Sequence, residues 1–493
     1  NFLMKKKAIV IGSGIAGIAT SIRLACQGFA VSVFEKNEYA GGKLSAFSLG
    51  DYRFDFGPSL FTMPHFVDEL FELAGENPRD HFQYKRKEIG CKYYWEDGVR
   101  LHAYGDTDRF LEEVDHKLGV PKHQLQDYLA RAEKKYNRTV SIFLEQSLHK
   151  WRTYLNKATL EGIFHLFSYE LDTTLHKVNT RRLKEPHLVQ FYDRFATYNG
   201  SNPYQTPGMM TLIQHLEQHY GTFVPEKGMV EITNSLIALA ERKGVQFHYK
   251  SAVDEIIVEG KTAVGIQTNG TTHNADVVVS NMDVVPTYRH LMPDQQAPEK
   301  SLRQERSSSA VIFYWGINRS FPELDLHNIF FSEDYKAEFD GLFTDKTLAD
   351  DPTVYVNITA KDVQGDAPVG KENWFVMINA PHDVGQDWGA LSQELRRRVL
   401  DKLNRNLKLN LDNCIEEEFV VTPPMIAEKT ASFTGALYGA ASNDRMAAFL
   451  RHPNFSRQIE GLYFCGGSVH PGGGIPLCLL SAKIVAELVN TGE

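Results

Sequence analysis

Residues 8–43 run AIVIGSGIAGIATSIRLACQGFAVSVFEKNEYAGGK, and this stretch constrains the fold more than any other. An apolar strand, Ala8 to Ile11, leads into Gly12-x-Gly14-x-x-Gly17. A helix follows whose Ile15, Ile18, Ala19, Ile22 and Cys26 recur at helical spacing, and then a second strand, Val31 to Phe34, closed by Glu35. A βαβ unit of this kind binds a dinucleotide: Gly12 permits the tight turn, Gly14 leaves no side chain between backbone and pyrophosphate, and Gly17 lets helix and strand pack closely. The helix N-terminus offers free N–H groups and the positive end of its dipole to the phosphates. Glu35 stands where a carboxylate accepts hydrogen bonds from the adenosine ribose. A lone GxGxxG says little, but here strand, helix, second strand and acid occur in register.

Gly41-Gly42-Lys43, six residues after Glu35, bears on which dinucleotide is held. A second glycine pair followed by a cation resembles the motif of FAD-dependent amine oxidases and their relatives, which implies FAD rather than NAD.

The 493 residues suffice for two or three domains, and the formal net charge of -9 argues against a nucleic-acid partner, which needs a concentrated basic face. Five cysteines (Cys26, Cys91, Cys414, Cys465, Cys478) are scattered without CxxC spacing, which fits a reducing compartment and neither zinc nor a disulfide framework. The 18 histidines show no HExxH motif and no paired-ligand spacing, so no metal site is expected. No signal peptide precedes the first strand and no window reaches the roughly 18 apolar residues of a membrane span. The expectation is a cytoplasmic protein, soluble or peripherally bound to the cytoplasmic membrane. Asn1-Phe2-Leu3 ahead of Met4 read as added residues, so the natural start is expected at Met4.

Asp55-Phe56-Gly57-Pro58-Ser59 ends the first nucleotide-binding stretch, and from Met63 to about Tyr220 the pattern is largely helical, with amphipathic runs at Gln124 to Leu148 and Leu160 to Leu175. For most of their length these read as packed surface helices, but Ile142, Phe143, Trp151, Tyr154, Leu155, Phe164, Phe167 and Tyr169 beside Lys, Arg and His also suit a helix resting on a membrane surface, which makes the region the candidate membrane contact. Nucleotide-domain character returns near Val224: a helix from Met229 to Arg242, then strands at Val253 to Val258, Ala263 to Thr268 and Ala275 to Asn281. The block Ser307 to Leu411 adds strands at Ala310 to Ile317, Thr353 to Ile358 and Trp374 to Ala380 and a helix, Trp388 to Leu409. The expected division is a discontinuous FAD-binding domain (4–75, 224–285 and 415–493) with a substrate domain (76–223 and 286–414) that includes a helical lid or membrane-contact region.

The run Gly461-Leu-Tyr-Phe-Cys-Gly-Gly-Ser-Val-His-Pro-Gly-Gly-Gly-Ile-Pro-Leu477 is the second strong signal. A strand, Leu462 to Cys465, feeds a glycine-rich turn and an apolar helix, which brings backbone N–H groups close to a ligand. With the amino-terminal fingerprint and the central Tyr198-Asn-Gly-Ser-Asn-Pro-Tyr-Gln-Thr206 and Phe223-Val-Pro-Glu-Lys-Gly-Met229, it resembles the bacterial carotenoid desaturases, the phytoene-desaturase-like FAD enzymes. The resemblance spans most of the chain. His-Pro-Gly-x-Gly-Ile-Pro is its most specific part. Where phytoene desaturases proper read Gly-Ala-Gly-Thr-His-Pro-Gly-Ala-Gly-Ile-Pro-Gly, this chain has Gly-Gly-Ser-Val-His-Pro-Gly-Gly-Gly-Ile-Pro-Leu, which looks more like the branch that desaturates 1-hydroxylated carotenoids at the 3,4 bond. Relatives usually place an aspartate after the last strand's glycine to hold the ribityl chain. Here that position is Gly467-Ser468.

The resemblance implies an α/β fold: a glutathione-reductase-like Rossmann FAD domain with an inserted α+β substrate domain and a helical membrane-facing segment. It implies FAD contacts at Gly12, Ser13, Gly14, Ile15, Ala16, Gly17, Glu35, Lys36, Gly42, Lys43, Leu44, Gly57, Pro58, Ser59, Leu60, Gly467, Ser468 and Ile475, with the Val253 backbone facing the adenine. The expected reaction is hydride transfer from a lipid-soluble acyclic carotenoid to flavin N5, with oxygen or a quinone as final electron acceptor. Phytoene desaturase, carotenoid isomerase and amine oxidase stay open as alternatives, as does a non-redox escort protein. Catalysis is assigned to the flavin. His470 and Arg194 are the weak side-chain candidates, His470 reading equally as a turn residue whose ring caps the glycine loop. Arg194, Tyr198 and Asn202 are candidates for the substrate tunnel, and Met209-Met210 for core.

Overall fold

The computed structural model describes residues 5–143, 170, 172–443 and 450–492. Two sheets organise it. The first is a five-stranded parallel sheet in the order Leu462–Phe464, Val277–Ser280, Lys7–Ile11, Ala30–Phe34, Gln246–His248. Its central strand pairs on both sides, Val10 lying opposite Val279 and Val33. It reads as a near-continuous apolar run because both faces are covered, one by helices and the other by the strands Glu255–Glu259 and Thr262–Thr268. The helix Ile15–Cys26 packs against Val230–Arg242 and the carboxyl-terminal helix Ile475–Thr491, over a core that includes Ile18, Ile22, Leu236 and Leu480. The sheet is thus assembled from the two ends of the chain and its middle, as the fingerprint and the terminal signature require.

The second sheet has seven strands, in the order Ile415–Val421, Ser309–Ile317, Glu372–Ala380, Val354–Asn357, His327–Phe330, Ile89–Tyr94, Arg100–Tyr104. All nine residues of Ser309–Ile317 are buried, because both faces are covered. Phe313 and Trp315 point into a core with Trp374, Leu395 and Val399, under the helix Trp388–Leu407; Ile312 and Tyr314 point the other way, toward Phe54 and Phe375. That second face looks onto the functional cavity.

The structure departs from the sequence reading at three places. The largely helical reading of residues 63–220 omits the hairpin Ile89–Tyr94/Arg100–Tyr104, which forms one edge of the seven-stranded sheet. Its signal was present: the apolar Ile89, Cys91 and Tyr93 alternate with Gly90 and Lys92, and Asp97-Gly98 is a turn pair. Residues 415–421, assigned to the nucleotide domain, pair with Ser309–Ile317 in the other sheet, so the chain changes sheets later than expected. The strand expected from Val253 begins at Glu255, leaving Val253 in the preceding loop. Within the expected run Gln124 to Leu148, the described helix is Lys122–Phe143. Trp151, Tyr154, Leu155, Phe164, Phe167 and Tyr169 lie outside the described residues. Among the described residues no helix is long and apolar enough to cross a membrane.

Candidate active site

A cavity of about 570 Å³ opens where the two sheets meet. One half is built by the nucleotide fingerprint. Gly14 caps the helix Ile15–Cys26 without any side-chain cap, and no acid stands in the first turn, so the helix presents bare N–H groups and an uncompensated dipole to the cavity. The helix Ile475–Thr491 also starts without a side-chain cap or a first-turn acid, at Gly474, although Pro476 removes one of its N–H groups. Two helix N-termini therefore converge on one space.

Glu35 lies at the cavity wall, 6 % exposed. Its Oε2 accepts from Ser13 N at 2.9 Å and Ser13 Oγ at 2.8 Å, and its Oε1 accepts from Asn37 N at 2.9 Å. Three donors fix the carboxylate at the end of its strand. Ser251 N donates to the Glu35 carbonyl at 2.8 Å, which sets the 251–254 loop, and Val253 with it, beside the same wall.

The structure brings nearly all of the expected cofactor residues to this one cavity. Gly12, Gly14, Ile15, Ala16, Glu35, Lys36, Gly42, Lys43, Leu44, Gly57, Pro58, Ser59, Leu60, Val253, Gly467, Ser468 and Ile475 line it; Ser13 and Gly17 do not. Ser13 is fully buried and acts on Glu35. Gly17 is a packing residue: a Cβ there would fall 2.2 Å from the Gly12 carbonyl oxygen. Lys43 donates to Leu437 O at 3.0 Å, and burial lowers its pKa from the usual lysine range, with Asp283 opposing. Ser468 Oγ accepts from Val284 N at 3.0 Å and keeps its own hydroxyl hydrogen to donate.

Several wall residues went unread in the sequence, Asn281, Arg451 and Tyr355 among them. Asn281 packs its amide beside Gly12, Gly14, Gly17 and Gly466. It closes the Val277–Ser280 strand, and only its place after an apolar run hinted at it. Arg451 donates to Tyr438 O at 2.6 Å and Gly467 O at 3.2 Å, and burial lowers its pKa to about 10. Tyr355 comes from the distant seven-stranded sheet.

The other half of the cavity is apolar, with Met209, Met210, Leu212, Ile213, Leu216 and Met377 on its wall. Arg194 and Tyr198 reach it, as expected. Asn202 does not line it and instead accepts from Tyr204 N at 2.9 Å. Arg194 donates to Tyr93 OH at 2.6 Å and Tyr198 OH at 3.3 Å, with Glu217 Oε2 at 3.6 Å, and Tyr198 OH donates to Glu217. This is a buried, internally paired charge. His470 lines the cavity but is 2 % exposed, and its backbone holds the glycine turn: its N donates to His452 O at 3.0 Å and its O accepts from Asn454 Nδ2 at 2.7 Å.

The paired-histidine spacing that the sequence reading passed over does occur. His215 and His219 stand four residues apart, and with Glu133 their ligating atoms lie within 4.8 Å of one another; none of the three lines the cavity. His215 is buried, which lowers its pKa to about 4.

A parallel nucleotide sheet, a glycine cradle under two helix N-termini and an apolar chamber beneath a second sheet suit a dinucleotide held beside an apolar substrate. The flavin-containing amine oxidoreductase family profile matches residues 15–490, and the chain belongs to that family. Over 484 residues it is 52 % identical to a 1-hydroxycarotenoid 3,4-desaturase of Flavobacterium sp., covering 98 % of this chain and 99 % of that protein. It is 33 % identical over 504 residues to a 4,4'-diaponeurosporene oxygenase of Staphylococcus aureus, covering 99 % of each. Among solved structures, an oxidoreductase from Methanosarcina mazei aligns with a TM-score of 0.62 at 15 % identity over 98 % of this chain and 100 % of that one. Wild-type putrescine oxidase bound to putrescine aligns with a TM-score of 0.64 at 11 % identity over 99 % of each chain. At those identities the likeness is one of fold.

Proposed function

We propose that this protein is an FAD-dependent carotenoid desaturase that introduces the 3,4 double bond into an acyclic carotenoid end carrying a 1-hydroxyl group. The near-full-length likeness to the hydroxycarotenoid desaturase carries the reading, and the cavity agrees with it. FAD, when bound, supplies the two-electron acceptor that side chains lack. The chain's residues hold and orient: the turn at Gly12 and Gly14 with the helix N-terminus takes the pyrophosphate, Glu35 the ribose, and the Gly467-Ser468 turn with Lys43 the flavin end. The wall of Met209, Met210, Leu212, Ile213 and Met377 suits a polyene, with methionine adapting to its shape. An amine oxidase would need an aromatic cage and a pocket for a soluble cation.

Desaturation removes two hydrogens, one as hydride and one as a proton. The positive charge left beside a polyene is delocalised, so no strong base is required. None is assigned among the cavity groups, where Glu217 is already engaged by Tyr198 and Arg194.

A lipid-soluble substrate calls for contact with a membrane from the cytoplasmic side, and oxygen or a quinone dissolved there serves as the final acceptor. Flotation with liposomes tests the contact: protein found only in the aqueous fraction, with and without substrate, counts against it. The function itself is tested by product chromatograms from cells supplied separately with phytoene, lycopene and a 1-hydroxylated carotenoid. The hydroxylated compound is expected to give the most product, and conversion of phytoene alone overturns the assignment.

A further inference from the structure

Three side chains from three separate elements meet at the junction of the cavity's two halves. Ser59 follows the strand Tyr52–Phe56, Tyr355 lies on Val354–Asn357, and His327 opens His327–Phe330. Ser59 Oγ is 2.8 Å from Tyr355 OH, and Tyr355 OH is 2.6 Å from His327 Nδ1. All three residues line the cavity.

The direction of this line of hydrogen bonds follows from its far end. Asn357 Nδ2, which can only donate, faces the same His327 Nδ1 at 3.3 Å, so that nitrogen is the acceptor and Tyr355 OH donates to it. Tyr355 oxygen then receives the Ser59 hydroxyl hydrogen. Both lone pairs of Ser59 Oγ remain open, and the line ends at the cavity in an acceptor. His327 stays neutral throughout, because burial and the charge of Lys87 lower its pKa to about 3.

We propose that Ser59, backed by Tyr355 and His327, receives the substrate's 1-hydroxyl group and so sets the preference for hydroxylated over hydrocarbon carotenoid ends. The inference rests on the desaturase reading. A 1-hydroxyl is only three bonds from C3, so its receptor must stand beside the bond being oxidised, at the border of flavin and substrate. Ser59 occupies that border. Two residues earlier, Gly57 packs so closely on the cofactor cradle that a Cβ there would fall 2.1 Å from the Lys43 carbonyl oxygen. The Ser59–Tyr355 bond then reaches across to the substrate sheet. The cavity's other buried polar cluster suits a neutral hydroxyl less well, since Arg194 already directs its terminal guanidinium nitrogens to Tyr93 and Tyr198.

A site that bonds a hydroxyl discriminates against the analogue lacking it, because its own polar atom is left unpaired. One hydrogen bond from a neutral hydroxyl corresponds to roughly tenfold. The test compares kcat/KM for a 1-hydroxylated carotenoid and for the same carotenoid without the hydroxyl, in the parent holoenzyme and in Tyr355→Phe, Ser59→Ala and Ser59→Thr holoenzymes of matched flavin content. The expected result is that the ratio of the two values falls about tenfold or more in Ser59→Ala, falls in Tyr355→Phe, and is retained in Ser59→Thr. Turnover of both carotenoids with a ratio that Ser59→Ala and Tyr355→Phe leave unmoved overturns this inference alone. Turnover of neither carotenoid by the parent overturns the functional reading, and this inference with it.

Discussion

Ser59 Oγ and Tyr355 OH, 296 residues apart in sequence, lie 2.8 Å from each other and join the loop after Tyr52–Phe56 to the seven-stranded sheet. The candidate site is therefore a seam between two sheets, and residues on each side of it can be tested separately.

Gly14 tests the nucleotide side. A Cβ at this position would fall 2.6 Å from Asn281 Nδ2, and a larger side chain would also enter the space meant for pyrophosphate. Gly14→Leu is expected to fold but purify without bound flavin. Full flavin absorbance in that variant would refute the assignment of the turn.

Glu35 offers a graded test. Its carboxylate accepts from both donors of Ser13 and from Asn37 N, and an amide cannot accept at both ends. A ribose hydroxyl would donate to the same carboxylate, and a bond to a charged acceptor contributes about 1.5–3 kcal/mol, so Glu35→Gln should weaken FAD binding by roughly 10- to 100-fold. Equilibrium titration of apoprotein with FAD measures it, and an unchanged affinity would show that Glu35 does not hold the ribose.

The nucleotide half was legible in the sequence because its chemistry is local: a turn, a helix start and an acid lie within 25 or so residues, and each leaves a residue-type signature. The substrate half was not. Tyr355, His327 and Glu217 reach the cavity only through sheet pairing and helix packing over hundreds of residues, and a tyrosine on a buried strand looks the same whether it faces core or cavity. Arg194 and Tyr198 were singled out only by their nearness to a family-like segment. The hairpin at residues 89–104 was hidden by helical patterns on both sides, although its Asp97-Gly98 turn was readable.

The Arg194–Glu217 pair carries a stability prediction. Both side chains are nearly buried, at 10 % and 7 % exposed, so removing one partner strands the other's charge at a cost of about 3–5 kcal/mol. Glu217→Gln should lower the thermal midpoint more than the double variant Arg194→Met/Glu217→Gln does. An equal or greater loss in the double variant would contradict this picture.

Acid sensitivity follows from the buried His215 and His327 and the half-buried His382. Burial lowers His215 and His382 to about 4 and His327 to about 3, against 6.5 in the unfolded chain. The unfolded chain therefore binds protons that the folded one refuses. The stability linked to these groups is complete above pH 6.5 and is lost as pH falls through 6.5 toward 4. His382→Gln should show a smaller drop in thermal midpoint between pH 7 and pH 5 than the parent. Identical drops would mean that His382 is not held neutral.

The most direct test of the central claim is anaerobic mixing of the holoenzyme with one carotenoid at a time, following flavin bleaching and identifying the product by NMR. The account predicts that a 1-hydroxylated acyclic carotenoid bleaches one flavin for each double bond gained, at the 3,4 position, and that phytoene leaves the flavin oxidised. Bleaching by phytoene with no reaction of the hydroxylated compound would contradict it.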